Sequence, residues 1–170
     1  MESELQPTAG IVTRMDILAM SMLMQPGDVR EAMASGYSTP FDALTNSVSR
    51  SKESWSVYSR DGRMLAIFGL VIGVGRHALE DGGAKWAMPW MVVSSVMSEN
   101  PVTLLRITRD IVGDWAEELS LFNWVHVDNL RSKVFLEVLG FTLEEPGPMP
   151  GGVPGEKFHL FWMGDRPCVS

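Results

Sequence analysis

Cysteine is almost absent from this sequence, since Cys168 is the single residue of its type. One cysteine cannot form a disulfide bond within the chain. The three histidines, His77, His126 and His159, have no cysteine partners at a spacing that zinc sites use. The sequence therefore predicts neither an internal disulfide nor a structural metal.

Long apolar runs and clusters of basic residues are missing as well. No apolar stretch reaches the length that crosses a bilayer, and the acidic start MESELQPTAGIVTRMD differs from the basic start of a signal peptide. Lys and Arg number 14 against 21 Asp and Glu, which gives a net charge of −7. Nucleic-acid phosphates need clustered cations. We therefore expect a soluble, unexported protein with no nucleic-acid or membrane partner.

The composition that remains is that of one globular domain. The chain has 170 residues, of which 45% are hydrophobic and 21% are charged. This length supports one well-buried core, and no linker, repeat or low-complexity tail interrupts it. We therefore expect a single domain over residues 1–170.

Helices are predicted in the first third of the chain. The run from Met15 to Met24 contains good helix formers and stops at QPGD. Asp28 is predicted to cap a second helix, and Ser38 or Thr39 a third that has Pro40 near its first position. The methionines of the first helix could fill the core or form an adaptable partner-binding face.

A hairpin and an interrupted strand are predicted next. The arms Trp55–Ser59 and Met64–Ile72 flank Asp61-Gly62, a dipeptide typical of two-residue hairpin turns. The segment KWAMPWMVVSS reads as a strand that contains Pro89. Because proline lacks an N–H, we expect a bulge or a missing ladder bond at that position.

The second half of the chain alternates helices and strands. Asn100 and Pro101 are predicted to cap and begin a long helix, SENPVTLLRITRDIVGDWAEEL. The stretch VHVDNLRSKVFLEVLGF predicts a strand that stops at Asp128-Asn129, followed by a helix that ends at Gly140. The apolar face expected for that helix consists of Val134, Phe135, Val138 and Leu139. A Pro/Gly loop around Met149 then separates two strands, Phe141–Leu143 and KFHLFWM.

This order of elements resembles the GNAT acyltransferase fold. The closest similarity is to the family's motif Asn-x-x-Ala-x-x-x-Tyr-x-x-x-Gly-Phe, because Asn129 and Gly140 have its spacing and Phe141 follows. The resemblance implies an α/β (α+β) domain with a mostly antiparallel central sheet and helices on both faces. It also implies that two adjacent strands diverge between Val92 and Val127 and hold the pantetheine of acetyl-CoA. If acetyl-CoA binds, the expected contacts are Val92, Val93, Ser94 and Asn129.

Two features depart from active members of the family. The family places a glycine-containing loop after the interrupted strand to bind the CoA pyrophosphate, whereas SSVMSENPV has no glycine, carries Glu99 and places Pro101 at the helix start. The motif's tyrosine, often the acid that reprotonates the thiolate, corresponds to Leu136. We therefore expect acetyl-CoA to bind weakly or not at all, and we assign no catalytic residue.

Three polar residues near the expected cleft have two interpretations each. His126, on the same face as Asp128, could be a general base or a hydrogen-bonded structural residue. Glu99 could bind an amine or act as an acid near a helix N-terminus. Asn129 could contact acetyl-CoA or cap the helix that follows it.

A second resemblance suggests a role. The stretches DVREAMASGYSTPFDAL, DGRMLAIFGLV, NLRSKVFLEVLGF and FHLFWM resemble the internal virion protein family of short-tailed phages, which carries a GNAT-like domain. This implies a structural protein of virion assembly with other phage proteins as partners, in the host cytoplasm or virion interior. The alternatives are an active N-acetyltransferase and a small-ligand or peptide-binding module. The oligomeric state stays open.

Overall fold

The computed structural model describes residues 6–8, 12–59, 61–73, 86–97 and 101–167. The helices are α1 (Arg14–Leu23), α2 (Pro26–Ala34), α3 (Pro40–Arg50), α4 (Pro101–Glu118) and α5 (Leu130–Leu139). The strands are β1 (Gln6–Thr8), β2 (Glu53–Tyr58), β3 (Met64–Ile72), β4 (Trp86–Val93), β5 (Ser120–His126), β6 (Thr142–Leu143) and β7 (Phe158–Met163). Four residues on which predictions rest lie outside the described residues: His77, Glu99, Asn100 and Cys168.

The strands form one seven-stranded sheet in the order β1-β2-β3-β4-β5-β7-β6. Neighbouring strands are antiparallel throughout, except for β4 and β5, which are parallel. The predicted hairpin joins β2 to β3, and Gly62 at its turn has φ +82°, a conformation that glycine adopts at little cost. The mostly antiparallel sheet is therefore confirmed.

Helices cover both faces of the sheet, as predicted. Ile17 and Met20 of α1 and Leu44 of α3 pack with Ile67 of β3 in one cluster. A second cluster contains Val112 of α4 together with Leu121 and Phe161 of the sheet, and Leu136 and Leu139 of α5 pack against it. Within the described residues, no helix has the combination of length and apolar character needed to span a bilayer.

Two predictions about individual helices are wrong. Helix α2 begins at Pro26, so Asp28 lies inside its first turn and is not the cap. On α5, Val134 and Val138 are exposed, whereas Leu136 and Leu139 pack inward. Phe135 and Leu139 lie inward as predicted, so the inward face of α5 is turned by about a quarter of a helical turn from the predicted one.

The predicted divergence of two strands is confirmed at the interface of β4 and β5. These strands pair at Trp86↔Ser120 and Ala87↔Leu121 and nowhere beyond. From there toward Val93 and His126, the facing edges are separate. We call this opening the cleft.

Two alternatives were predicted at Pro89: the bulge is wrong, and on the side of β5 the ladder stops at Ala87, before this residue. Strand β4 pairs with β3 without a register shift from Ala87 to Val93. Even-numbered residues of this segment turn their backbone groups toward β3, as the bonds from Gly73 N to Trp86 O and from Ser94 N to Leu65 O show. Pro89 therefore turns its nitrogen toward the cleft, where no ladder bond is lost.

Candidate functional site

A cavity of about 420 Å³ passes through the sheet at the cleft. Its walls come from helices on both faces: Asp28, Glu31 and Tyr37 on the side of α2 and α3, and Leu104, Ile111 and Phe135 on the side of α4 and α5. Cavities of this size hold small ligands. The two faces of the sheet are therefore connected through the gap between β4 and β5.

One side chain spans the narrow end of the cleft. The amide Nδ2 of Asn123 donates to the carbonyl of Pro89 at 2.9 Å, and its Oδ1 accepts from the backbone N–H of Trp124 at 2.8 Å. Asn123 therefore satisfies one edge group of each strand just past the point where pairing ends. The edge of β4 beyond it stays open to the cavity.

Two carboxylates of α2 lie at the wide end of the cleft. Glu31 Oε2 accepts from the backbone N–H of His126, at the end of β5, at 2.9 Å. Asp28 has a hydrogen bond with the backbone amide of Val93, at the end of β4. Because Asp28 and Glu31 are three residues apart, they share one face of the helix. We call them the α2 acid pair; it links the two separated strand ends.

Asn129, which precedes α5, contacts both carboxylates of the α2 acid pair. Its Nδ2 donates to Asp28 Oδ1 at 3.2 Å and to Glu31 Oε2 at 3.0 Å. Its Oδ1 accepts from the backbone N–H of Ser132 at 3.4 Å and thus caps α5. The close approach depends on Gly27, where an added Cβ would lie 3.0 Å from Asn129 Oδ1.

Burial changes the ionisation of both acids. It raises the pKa of Asp28 to about 6, against the opposing effects of Asn129, the Val93 amide and the charge of Arg131. Burial also raises the pKa of Glu31 to about 7, and the charge of Asp28 adds to the rise, while the His126 amide and Asn129 oppose it. Near neutral pH, Glu31 therefore exists in both its protonated and its ionised form.

The structural interpretation of His126 is the one that the geometry supports. Its ring lies in the core, edge-on to Phe158, and Nδ1 accepts from the backbone N–H of Asp128 at 3.2 Å. Nε2 must then carry the proton that it shares with Glu156 Oε2 at 2.8 Å. Both ring nitrogens are thus occupied. Asp128 is exposed and pairs with Arg30 at 2.9 Å, so these two residues do not form a base at the cavity.

The structure separates the four residues predicted to contact the cofactor. Val92 packs toward α1 and α3, whereas Val93 packs in a cluster with residues of α4. Ser94 is buried, and its hydroxyl donates to the carbonyl of Met64 at 2.8 Å, so this side chain bonds to β3. Asn129 binds the α2 acid pair and the start of α5. Of the four, Val93 presents its backbone to the cleft.

Sequence reasoning missed the α2 acid pair. The sequence predicts a capping role for Asp28 and no specific role for Glu31. The available signal was two acids three positions apart in PGDVREAMA, a short helix that has little apolar face to bury. Within the described residues, no group of His, Cys, Asp or Glu side chains is arranged to hold a metal ion.

Comparison with solved structures decides the fold. The spermidine N-acetyltransferase from Vibrio cholerae, in complex with CoA and spermine, superposes with a TM-score of 0.63 at 14% identity, over 95% of this chain and 96% of that one. The chain has the GNAT fold. The aminoglycoside N(6')-acetyltransferase from Legionella pneumophila gives 0.64 at 10% identity, over 96% and 93% of the two chains. A GNAT-family acetyltransferase from Bacillus anthracis gives 0.63 at 13% identity, over 94% and 96%.

These comparisons overturn the expected role in virion assembly. The three compared structures are acetyltransferases, and they favour the enzymatic alternative over a phage structural protein. No protein-family model matches the chain. No curated protein matches it either. The resemblance to the internal virion proteins therefore gains no support, and the expectation of phage partners stays a prediction.

Proposed function

We propose that this protein is an N-acetyltransferase that uses acetyl-CoA and an amine acceptor. The observation that carries the proposal is the cavity through the sheet, whose two sides open toward different helices. A donor thioester and an acceptor amine can then meet in the gap from opposite faces. The Vibrio cholerae spermidine N-acetyltransferase, which has a similar fold, binds CoA and spermine in one complex.

The cleft fits a pantetheine arm on two observations. Odd-numbered residues of β4 turn their backbone groups toward the cleft, so that the Met91 N–H has no strand opposite it. The walls beside it are apolar, formed by Leu104, Ile111 and Phe135. An extended chain with amide groups can therefore add to the edge of β4 in the way that β-augmenting peptides do.

Leu136 lines the cavity at the position of the family's tyrosine. Its side chain cannot donate a proton, so this chain has no side-chain acid at that position. When bound, acetyl-CoA supplies the acetyl group: the C–N bond forms, the C–S bond breaks, CoA leaves as the thiol and the ammonium releases one proton to water. What the protein supplies is the gap, the donor at Met91 and the acid groups of the acceptor side.

The test is thiol release from acetyl-CoA with spermidine, an aminoglycoside and glutamate as acceptors, together with mass spectrometry of the acetylated product. The thiol of Cys168 gives a constant background that protein alone measures. We expect release that depends on an amine. Absence of release with every acceptor, together with a dissociation constant for acetyl-CoA above about 1 mM by calorimetry, would overturn the proposal.

A pair of variants tests the binding mode. Met91→Pro removes one N–H at the cleft and leaves the β3 ladder intact, while Met91→Ala removes the side chain and keeps the N–H. Loss of one hydrogen bond of about 1 kcal/mol should weaken acetyl-CoA binding by roughly fivefold in Met91→Pro relative to Met91→Ala. Equal affinities would show that pantetheine does not bond to this edge.

A further inference from the structure

The α2 acid pair links two strand ends, but the hydrogen bonds of Glu31 are not shared between its two oxygens. Glu31 Oε2 takes both hydrogen bonds of this carboxylate, from the His126 amide and from Asn129. Among the residues that the structure describes, Oε1 has no hydrogen-bond partner. One oxygen therefore fixes the orientation of the group, and the residue lines the wall of the cavity.

We propose that Glu31 takes the proton from the acceptor amine, that Asp28 beside it favours acceptors of positive charge, and that Asn129 is the residue that positions both carboxylates. This inference rests on the proposed function and names the acceptor class of the same site. It also gives Asn129 a different role from the cofactor contact that the family resemblance implied.

The proton transfer is balanced within the site. The acceptor enters as an ammonium ion, and one proton passes from its nitrogen to a carboxylate oxygen of Glu31. The products are a neutral amine with a free lone pair and a neutral carboxylic acid. The acid returns its proton to water when the acetylated product leaves. A base whose pKa lies near the working pH suits this exchange, because it is partly ionised before and readily reionised after the transfer.

The charged groups around Glu31 support a cationic acceptor. Asp28 lies on the same helix, Arg131 acts on Asp28 from α5, and Glu156 bonds to the ring of His126, whose backbone N–H binds Glu31. Asp28 and Glu31 line the cavity from α2, and Arg50, in the last turn of α3, is a cation that lines it as well. An acceptor with its own carboxylates would be repelled there, whereas a polyamine would be attracted. We therefore expect kcat/KM for spermidine to exceed that for glutamate at least tenfold.

Asn129→Asp separates positioning from a capping role. Aspartate caps helices about as well as asparagine, so that a residue that served α5 alone would tolerate the change. The variant, however, loses the Nδ2 donor and adds a negative charge beside Glu31. Both changes favour the protonated form of Glu31. The acidic limb of the pH profile of kcat/KM should then move to higher pH.

The experiment measures kcat/KM for spermidine between pH 5.5 and 9 (roughly the range in which carboxylates of raised pKa titrate). We expect an acidic limb in the wild type, a loss of about 10²- to 10⁴-fold in kcat with no such limb in Glu31→Gln, and an upward-shifted limb in Asn129→Asp. Glu137→Gln, an exposed acid on α5, is the matched control and should behave as the wild type. Thermal melting confirms folding, and Asn129→Ser, also a capping residue, replaces Asn129→Asp if that variant unfolds.

The outcomes separate this inference from the proposed function. Turnover that survives in Glu31→Gln overturns the role of Glu31, and an unmoved limb in folded Asn129→Asp and Asn129→Ser overturns the positioning role. A preference for glutamate over spermidine overturns the assigned acceptor class. Absence of acetyl transfer by the wild type overturns the proposed function itself, and this inference with it.

Discussion

The two edges of strand β4 are formed by alternating residues of one strand and differ in what they contact. Toward β3, backbone pairing continues from Ala87 to Val93, whereas toward β5 it ends at Ala87. On the open edge, side chains take the place of a strand: Asn123 at the narrow end and the α2 acid pair at the wide end. A sheet can therefore open a cavity at its centre when polar side chains satisfy the separated edges at both ends.

The closed end of the β4–β5 interface should be the most sensitive to truncation. Leu121 is fully buried at the last position that pairs with β4. Leu121→Ala should reduce the free energy of unfolding by about 2–5 kcal/mol, because a cavity forms where no loop can collapse into it. Urea denaturation measures this change. A loss below about 1 kcal/mol would mean that the interface is not anchored at this point.

The wide end should respond to pH. Because the folded-state pKa of Glu31, about 7, lies above its ordinary value of 4.5, the stability that it contributes is full below pH 4.5 and is lost as pH rises through 7. The loss is on the order of 3 kcal/mol. Urea denaturation at pH 5 and at pH 8 should show a drop in the wild type that is smaller in Glu31→Gln, where the raised pKa of Asp28, about 6, still causes part of the drop. An equal drop in both proteins would contradict burial of an ionisable Glu31.

A proline at a position of β4 whose backbone N–H faces β3 should reduce the free energy of unfolding, whereas Pro89 does not. Met88→Pro removes an N–H that points to β3 and leaves its carbonyl partner unpaired, which should cost about 1–3 kcal/mol more than Met88→Ala. Thermal melting of the two variants gives the difference. If the two variants have the same melting temperature, the N–H of residue 88 does not face β3.

The smallest effect is expected at Pro89 itself. Pro89→Ala restores an N–H that faces the cleft, so that no ladder bond is gained, and stability should change by less than about 0.5 kcal/mol. An increase of more than about 1 kcal/mol in the free energy of unfolding would instead indicate that Pro89 leaves a bond to β3 unmade.

Local signals in the sequence predicted most of the fold. Asp61-Gly62 located the hairpin, Thr39 and Pro40 the start of α3, and the Asn129-to-Gly140 segment the bounds of α5. In each case, the residues that decide the structure are close together in the chain. Capping and turn chemistry are properties of a few consecutive residues, so they can be read without knowledge of the tertiary structure.

The candidate site depends on contacts that no local pattern contains. Glu31 meets His126 across 95 residues, and Asn129 meets Asp28 across 101 residues. The cost of a proline in a strand likewise depends on which neighbour its nitrogen faces, and this is known only once the sheet order is known. The missing glycine loop and Leu136 predict loss of activity, and no local pattern in the sequence reveals the acid pair to which we assign the proton transfer.

The contact between Gly27 and Asn129 has a consequence for natural variation in this chain. An alanine at position 27 would bring its methyl group to 3.0 Å from Asn129 Oδ1, so the Asn129 side chain would have to shift by a few tenths of an ångström and its bonds to the two acids would be strained. Lineages that lose the glycine should lose the asparagine as well, in favour of a shorter side chain such as serine. Paired substitutions at positions 27 and 129 among homologues would then indicate which of them retain the side-chain amide that binds Asp28 and Glu31.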